Sequence, residues 1–369
     1  MGKNGAGNGG GLSRSIAAKM TKKVALVYDW ADTNFGGAER VLLKLQKTYP
    51  QADLITAFVD WQKAKWLENF PVVKTSFLQK WPRWLKRKKF WLAPFLPMAF
   101  ESFDLREYDL IISVASFAAK GVLTAPSQKH LCYLLTPTRF LYSHAEQYQN
   151  KVERFFARPI SKYLKRWEQV AIWRPDKVAT ISKLVAERTE EYYGRKPDAV
   201  IYPLTVDKKF FTKKQNKEIL AGNPYFLCVS RLVKYKKIDV VIRACKNLKV
   251  SLKIIGTGPE EKNLRQLAAG VAVEFLGNVS EKELLNCYNR ALALLAPGEE
   301  DFGINILEAN AAGCWVIANG KSGAMELLNS RQALPVTGQT VKALTVVMTK
   351  FLEEKMWQEA VTERQDDAR

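Results

Sequence analysis

The stretch KVALVYDWADTNFGGAERVLLKLQKTYP, Lys23 to Pro50, decides the fold class. Its first eight residues form a mainly apolar run, which is typical of a strand buried in a sheet. A Phe-Gly-Gly turn follows, and the remainder places apolar residues at helical spacing. Strand, glycine turn and helix in this order predict the first unit of a parallel α/β sheet.

The same alternation continues along the chain. Strand-length apolar runs recur as ADLITAFV, YDLIISVAS, HLCYLL, DKVATIS and AVIYP, and a lysine-rich polar stretch from Asp207 to Pro224 interrupts them. The pattern then restarts with YFLCVS, SLKIIG, VEFLG and ALALLAP. We therefore expect two doubly wound α/β domains, 21–205 and 206–369, facing a central cleft, with ligands beyond the carboxyl ends of the strands.

The composition restricts the class of partner and the compartment. The formal net charge of +20 favours anionic partners: nucleic acid, lipid headgroups or phosphorylated small molecules. Five scattered cysteines and two histidines argue against a zinc site and favour reduced thiols in the cytoplasm. The Gly/Asn-rich residues 1–20 predict a disordered extension without a signal-peptide core, and no apolar run is long enough to span a bilayer.

Two glycine turns follow predicted strands. Gly36 and Gly37 open the first helix, and Gly256 and Gly258 occupy the matching place in the second domain, in IIGTGP. Glycine lets backbone N–H groups approach an anion at the positive end of a helix. A tight turn without a ligand explains the same residues equally well.

A basic loop follows the first strand of the second domain. In SRLVKYKKID, Arg231 and Lys236 lie just beyond the strand. Cations there can hold a diphosphate and neutralise charge that builds on a leaving phosphate. A solvated basic loop is the alternative.

Two acids lie eight residues apart in EEDFGINILE. Eight helical residues rise about 12 Å, so Glu300 and Glu308 could contact different parts of one extended ligand. A carboxylate can accept hydrogen bonds from two vicinal hydroxyls of a ribose or a hexose, and free N–H groups of Phe302, Gly303 and Ile304 could bind neighbouring oxygens. The alternative, attraction of acids to a helix N-terminus, accounts for Glu300 but not for Glu308.

These residues carry a resemblance to a known family. APGEEDFGINILEANAAGCWVIA resembles the E-x7-E signature of family 4 retaining glycosyltransferases, which have the GT-B fold. Further segments, from Lys22 to Leu328, resemble the mannosyltransferase-type branch of that family in order. They are VYDWADTNFGGAERVL, FESFDLREYDLIISVASFAAKGV, HLCYLLTPTRFLY, AVIYPLTVD, SRLVKYKKIDVVIRA, IIGTGPE and EFLGNVSEKELLNCYNRA.

The resemblance implies a role for each matching residue. Arg231 and Lys236 would hold the donor diphosphate, Glu308 the donor ribose, and Glu300 the transferred sugar. The other implied contacts are the backbone of Phe302, Gly303, Ile304 and Asn305, Val279 beside the nucleobase, and Gly36 and Gly37 near the phosphates. Family members work without a metal or cofactor, and the absence of a D-x-D triplet agrees with that expectation.

The chain also departs from the family pattern. Leu135 stands where the branch usually has a histidine that contacts the sugar, and Ser143 stands where it usually has an acid. The C-terminal stretch from Asn329 lacks the usual glycine-rich strand turn and a full returning helix. We expect these departures to affect sugar positioning and acceptor choice.

A basic aromatic segment lies between Asn69 and Phe100 and contains no acid. Cations beside tryptophan suit an anionic bilayer surface, although the same composition could bind single-stranded nucleic acid or form a solvated loop. The tract from Ser161 to Arg174 extends this surface. The predicted membrane-binding residues are Trp81, Arg83, Trp84, Lys86, Arg87, Lys88, Lys89 and Trp91.

Together these features predict a retaining hexosyltransferase that needs no metal. Its donor would be a nucleotide sugar, GDP-mannose, and its acceptor a glycan or lipid-linked sugar at the cytoplasmic face of the cell membrane. There are two alternatives. The donor could be another GDP- or UDP-hexose, or the chain could be a catalytically silent GT-B protein that binds nucleotide or membrane. Nucleic-acid binding is the third choice, because it would require the positive charge to gather outside the cleft.

Overall fold

The computed structural model describes residues 22–33, 36–143, 151–203, 206–211, 223–328 and 332–358. The predicted extension at residues 1–20 lies outside these ranges. The described part divides into two compact units. The first unit contains the residues up to Tyr133 together with Arg166–Val178, and the second contains those of Leu134–Lys165 and those from Ala179 onward. The predicted domain boundary near residue 205 stays a prediction.

Within the described ranges, one sheet has seven strands in the order β3-β2-β1-β4-β5-β6-β7. Its registers are parallel, with Leu26 opposite both Leu54 and Ile112. The strands are β1 (Val24–Tyr28), β2 (Asp53–Thr56), β3 (Val73–Thr75), β4 (Leu110–Ala115), β5 (Lys129–Leu134), β6 (Lys177–Thr180) and β7 (Ala199–Val200).

The other sheet has six strands in the described part, in the order β10-β9-β8-β11-β12-β13. It is also parallel, with Leu227 opposite Lys253 and Leu294. The strands are β8 (Tyr225–Val229), β9 (Ser251–Ile255), β10 (Val273–Gly277), β11 (Ala293–Ala296), β12 (Trp315–Asn319) and β13 (Ala333–Val336). Two parallel α/β sheets confirm the predicted fold class.

Helices connect the strands in the described part of the chain, and the helical spacing within Lys23–Pro50 predicts the first of them. Those near the first sheet are α1 (Gly37–Thr48), α2 (Arg83–Arg87), α3 (Lys89–Leu92), α4 (Leu96–Glu101), α5 (Lys151–Ala171) and α6 (Lys183–Tyr193). Those that follow are α7 (Ile238–Leu248), α8 (Glu261–Leu267), α9 (Glu281–Arg290), α10 (Ile304–Ala311) and α11 (Val341–Glu353). In the described part of the chain no helix combines the length and hydrophobicity that crossing a bilayer requires.

The sequence pattern did not predict the last strand and helix of the second sheet. β13 pairs in parallel with β12, and α11 packs on the same core through Leu344, Met348 and Phe351. The ring of Phe351 meets that of Trp315 edge to face, with centroids 5.6 Å apart. Burial of these large side chains stabilises the edge of the sheet by about 25 cal/mol per Å² of apolar surface.

A buried ion pair joins two elements of the first unit. Lys120 and Glu168, both fully buried, pair at 2.5 Å, and the Lys120 ammonium also donates to the carbonyl oxygen of Phe117. Gly121 beside it is close-packed, because an added Cβ would lie 2.3 Å from the ring of Trp167. The pair therefore fixes the loop after β4 against α5.

We predict that Lys120→Met destabilises the protein by about 3–5 kcal/mol, since it leaves the Glu168 carboxylate buried without its cation. Adding Glu168→Leu should recover much of this loss. Lys129→Met, at an exposed position, is the control. Denaturant unfolding measures the three variants, and equal stability of Lys120→Met and Lys129→Met would contradict the prediction.

Candidate functional site

The centre of the candidate site is an acidic loop, Glu299–Gly303, between β11 and α10. All three of its acids form ion pairs within the second unit: Glu299 with Arg188, Glu300 with Lys236, and Asp301 with both Arg139 and Arg188. Consecutive acids in a largely buried loop are costly unless each charge is compensated. These pairs are therefore what allows the loop to hold this conformation.

The structure brings two predicted site residues into direct contact. Lys236 ends a short 3₁₀ turn after β8, and its ammonium donates to the carboxylate of Glu300. Both side chains are largely buried, 14% and 11% exposed. Next to the pair, burial raises the pKa of the Cys228 thiol to about 12, with Glu300 adding to the shift and Lys236 opposing it. This thiol is neutral at physiological pH and is no nucleophile.

The approach of the two loops depends on a glycine. A Cβ on Gly298 would lie 2.8 Å from the carbonyl oxygen of Tyr235 and 2.9 Å from the Cα of Lys236. No side chain fits there without displacing the backbone that carries Lys236. Gly298 was not among the predicted site residues, although it immediately precedes the acidic loop.

Arg231 lies on the same basic loop but in a different environment. Its side chain is exposed, and among the described residues its guanidinium has no ion-pair or hydrogen-bond partner. The acids of the acidic loop are balanced by Lys236, Arg139 and Arg188, so Arg231 is a cation in excess. An exposed, uncompensated guanidinium can bind an anion such as a phosphate.

Glu308 lies on α10 and is buried, 4% exposed. The helix begins after Gly303, which has φ +93°, a left-handed conformation that glycine adopts without strain. The N–H groups of Phe302, Gly303 and Ile304 donate no hydrogen bond to the described residues. They remain available as donors at the positive end of a helix.

The start of α10 is anchored to the first strand of its sheet. The amide of Asn305 donates to the carbonyl oxygen of Val229 at 2.8 Å, and the ring of Phe302 packs near Tyr202. Asn305 and Phe302 thus have structural contacts in addition to the donor contacts predicted for their backbone, which stay a prediction. Val279 is half-buried just before α9, and its nucleobase contact also stays a prediction.

The structure explains Gly256 by close packing. Gly256 has φ +124°, and a Cβ there would lie 2.0 Å from the carbonyl oxygen of Ser230. Gly258 approaches the backbone of Leu232 in the same way. The loop after β9 thus packs directly on the loop that carries Arg231. The donor contact predicted for both glycines stays a prediction.

In the first unit, a buried acid occupies the start of α1. The Gly36 N–H donates to Glu39 at 3.0 Å, and the other oxygen of Glu39 accepts from the hydroxyls of Tyr28 and Thr33. Burial and the nearby Glu39 carboxylate raise the pKa of Tyr28 well above its ordinary value. The phosphate contact predicted for Gly36 and Gly37 stays a prediction at a helix end that already holds a carboxylate.

Asp301 is a buried residue of the acidic loop that the sequence pattern did not single out. Its carboxylate accepts from Arg139 Nε at 2.8 Å and from Arg188 Nη1 at 2.6 Å. Burial alone would raise the pKa of Asp301, but the two arginines outweigh it and hold the pKa below its ordinary value. Arg139 lies in the quoted segment HLCYLLTPTRFLY, yet no spacing in the sequence links it to Asp301.

The basic aromatic segment has an exposed face. Trp84 and Trp91 are 64% and 42% exposed, and Arg83 and Lys88 are also exposed. The remaining predicted residues are more enclosed: Trp81 packs on Phe95, Lys86 donates to the carbonyl oxygen of Gln79, and Lys89 pairs with Asp32 and lies over Trp30. The side chain of Arg87 lies outside the described part.

No group of three or more His, Cys, Asp or Glu side chains is placed to hold a metal ion in the ranges that the structure describes. The charged side chains of the candidate site are cations and carboxylates. The site has the chemistry to bind a polyhydroxylated phosphate ester.

We predict that Asp301→Asn lowers stability by about 3 kcal/mol at pH 7, because two partly buried arginines, 21% and 13% exposed, lose a charged partner. The depressed pKa means that Asp301 stabilises the folded protein above about pH 4 and that this contribution is lost as the pH falls further. The stability gap to wild type should therefore narrow below pH 4. Thermal unfolding from pH 7 to 3 measures this gap. Asp60→Asn is the control, because Asp60 pairs with Lys63 at the surface. We expect its stability to differ little from that of the wild type at every pH. A stability difference for Asp301→Asn that does not change with pH would contradict the prediction.

Comparison with known proteins connects part of this chain with a described family. The family described as glycosyl transferases group 1 matches residues 209–367. A GDP-mannose-dependent monoacylated alpha-(1-6)-phosphatidylinositol monomannoside mannosyltransferase of Corynebacterium glutamicum is 30% identical over 203 residues, 48% of this chain and 53% of that protein. A GDP-mannose-dependent alpha-(1-6)-phosphatidylinositol monomannoside mannosyltransferase of Mycobacterium tuberculosis is 29% identical over 205 residues, 48% of this chain and 52% of that protein. The chain thus spans about half the length of these curated relatives.

Solved structures match the fold over nearly the whole chain. HepE of Anabaena, crystallised with UDP, superposes with a TM-score of 0.66 at 21% identity and covers 91% of both chains. WaaG, a glycosyltransferase involved in lipopolysaccharide biosynthesis, has a TM-score of 0.61 at 16% identity and covers 91% of this chain and 92% of its own. Both are GT-B proteins. Residues 209–367 of this chain are therefore similar to the glycosyl transferases group 1 family, and the chain has the two parallel-sheet α/β domains of the GT-B fold.

Proposed function

We propose that the chain is a retaining glycosyltransferase that transfers mannose from GDP-mannose to a glycan or lipid-linked acceptor. The observation that carries this proposal is the arrangement around the acidic loop. Glu300 pairs with Lys236 just before α10, Glu308 is buried on that helix, and Arg231 is an exposed cation on the loop that carries Lys236. These residues lie in the region that matches the group 1 family.

Each residue has a chemical role in the proposed reaction. Lys236 and Arg231 bind the diphosphate and neutralise the charge that it gains as the leaving group. Glu308 accepts hydrogen bonds from the ribose hydroxyls, and Glu300 orients the mannose together with the free N–H groups at the start of α10. The bond between the anomeric carbon and the diphosphate oxygen breaks while the acceptor oxygen bonds to the same carbon on the same face. The acceptor proton passes to the leaving phosphate, so the step needs no metal or other cofactor.

Since Lys236 and Glu300 pair with each other, donor binding changes the partners of both. The diphosphate competes for the ammonium while the sugar hydroxyls compete for the carboxylate. A donor that carries both groups compensates both charges at once, whereas a free phosphate or a free sugar compensates one. This favours a nucleotide sugar over either part alone.

The proposed donor follows from the sequence relatives. The relatives from Corynebacterium glutamicum and Mycobacterium tuberculosis are described as GDP-mannose-dependent. UDP is the nucleotide crystallised with HepE, so a UDP-hexose is the second candidate donor. A silent protein that binds nucleotide without turnover is the remaining alternative, because Leu135 stands where the family has a histidine.

We also propose that the enzyme acts at the cytoplasmic face of the membrane, with the basic aromatic segment on the anionic lipid surface. The exposed Trp84 and Trp91 would lie at headgroup depth, while Arg83 and Lys88 would meet anionic lipid. The relatives are described as acting on phosphatidylinositol mannosides, which are lipid-linked. Nucleic acid is not an expected partner.

We predict that GDP-mannose raises the melting temperature of the wild type and that Lys236→Ala and Glu308→Ala each abolish most of this shift. A ligand at a hundredfold excess over its Kd stabilises a protein by about 2.7 kcal/mol. Lys253→Ala is the matched control, because Lys253 also pairs with a glutamate, Glu274, in the second unit. It should keep the full shift.

Thermal shift with GDP-mannose and UDP-glucose, followed by mass spectrometry of product with a mannosylated phosphatidylinositol acceptor, measures this prediction. Stabilisation by UDP-glucose alone would move the assignment to the second donor. Stabilisation without product would favour the silent protein. No stabilisation by any GDP- or UDP-hexose would refute the donor assignment.

We predict that Arg83→Ala lowers binding to anionic vesicles about fivefold, the equivalent of about 1 kcal/mol for one basic residue. Trp84→Ser should lower it further through loss of the exposed ring. Trp61→Ser is the control, because Trp61 is similarly exposed, at 57%, but lies outside the basic aromatic segment. Liposome flotation with and without anionic lipid is the measurement. Equal recovery at both lipid compositions, or an equal loss for Trp61→Ser, would contradict the membrane proposal.

A further inference from the structure

We propose that Arg139 and Asp301 are a positioning pair that sets the direction of Glu300 at the candidate site. The pair lies beside the predicted donor contacts and is not one of them. The ligand side of this inference rests on the function proposed above, whereas its conformational side rests on the geometry of the acidic loop alone.

The carboxylate of Asp301 is held from two separate segments. Arg139, on the loop after β5, donates through Nε at 2.8 Å to Oδ2, and its Nη2 donates to the same oxygen. Arg188, on α6, donates to Oδ1 at 2.6 Å. The carbonyl oxygen of Asp301 accepts from the hydroxyl of Ser182 at 2.6 Å. Side chain and backbone of one residue are therefore both fixed.

Fixing Asp301 fixes its neighbours. Glu300 precedes it and places its own carboxylate on Lys236, so the two consecutive side chains have different partners. Phe302 follows it and begins the row of free N–H groups. A displacement of about 1 Å at a reacting group can cost on the order of a hundredfold in rate. A residue that holds the peptide between Glu300 and Phe302 can therefore control turnover without contacting the donor.

Arg139 also contacts Tyr235, the residue that precedes Lys236, the partner of Glu300. Its guanidinium carbon lies 4.9 Å from the ring centroid of Tyr235, and the ammonium of Lys236 lies 5.2 Å from the same centroid. Arg139 thus supports the turn that carries Lys236 as well as the loop that carries Glu300. Loss of Arg139 should loosen both, while Arg188 continues to compensate Asp301 and keeps the protein folded.

The experiment compares wild type with Arg139→Ala, Arg139→Lys and Arg195→Ala. Arg195 is the matched control: it is buried in the second unit and pairs with Asp198 at 3.6 Å. Three quantities are measured on the full chain: the kcat of mannose transfer from GDP-mannose, the Kd for GDP, and backbone hydrogen exchange across residues 299–305.

For Arg139→Ala we expect kcat to fall roughly 10- to 100-fold, as for other misplaced catalytic groups. The Kd for GDP should rise by a smaller factor than kcat falls, since Arg231 and Glu308 keep their contacts while the turn that carries Lys236 is loosened. Exchange across residues 299–305 should become faster. Arg139→Lys should recover part of the loss, because it keeps one charged donor, and Arg195→Ala should resemble the wild type in all three measurements.

Unchanged exchange across residues 299–305 in Arg139→Ala, or equal changes in Arg195→Ala, would overturn the positioning role. Should the wild type neither bind GDP-mannose nor transfer mannose, the proposed function fails. The exchange measurement then decides the positioning role on its own. Faster exchange in Arg139→Ala than in Arg195→Ala upholds it, and equal exchange overturns it.

Discussion

Compensation of three consecutive acids is the constraint on which the second unit depends. Glu299, Glu300 and Asp301 carry three negative charges in a loop with little access to water. Such a loop is stable only if cations from other segments reach it. Arg188 and Lys236 come from α6 and from the turn after β8, so the loop ties together elements that are distant in sequence. In the function proposed above, only the pair of Glu300 and Lys236 exchanges its partners for groups of the donor, while the pairs of Glu299 and Asp301 hold the loop.

The fold class follows from the sequence because its signals are local. A buried apolar run such as Val24–Tyr28, a glycine turn and an amphipathic helix each lie within about ten residues. The last strand and helix were missed because Ala333–Val336 is a short strand without alternation, and because α11 is recognisable only through its packing on Trp315. Such elements form because of their tertiary contacts, which the local sequence does not reveal.

The part of the candidate site that could be predicted is the part whose sequence signals are local. Lys236 and Glu300 were predicted from the loops that carry them, and the structure places them in one ion pair. Asp301 and Arg139 were not predicted, because 162 residues separate the partners of this hydrogen bond. An acid at the end of a run of three acids has no distinctive pattern in one sequence. Its partners become visible only when the fold brings the segments together.

The central claim is that the carboxylates and cations around the acidic loop bind a nucleotide sugar and transfer its hexose with retention. The most direct measurement is an NMR determination of the anomeric configuration of the product formed by the wild type from GDP-mannose and a mannosylated phosphatidylinositol. We expect an α-mannoside, the configuration of the donor, formed in step with the release of GDP. A β-mannoside, or release of GDP without a glycosidic product, would contradict this claim.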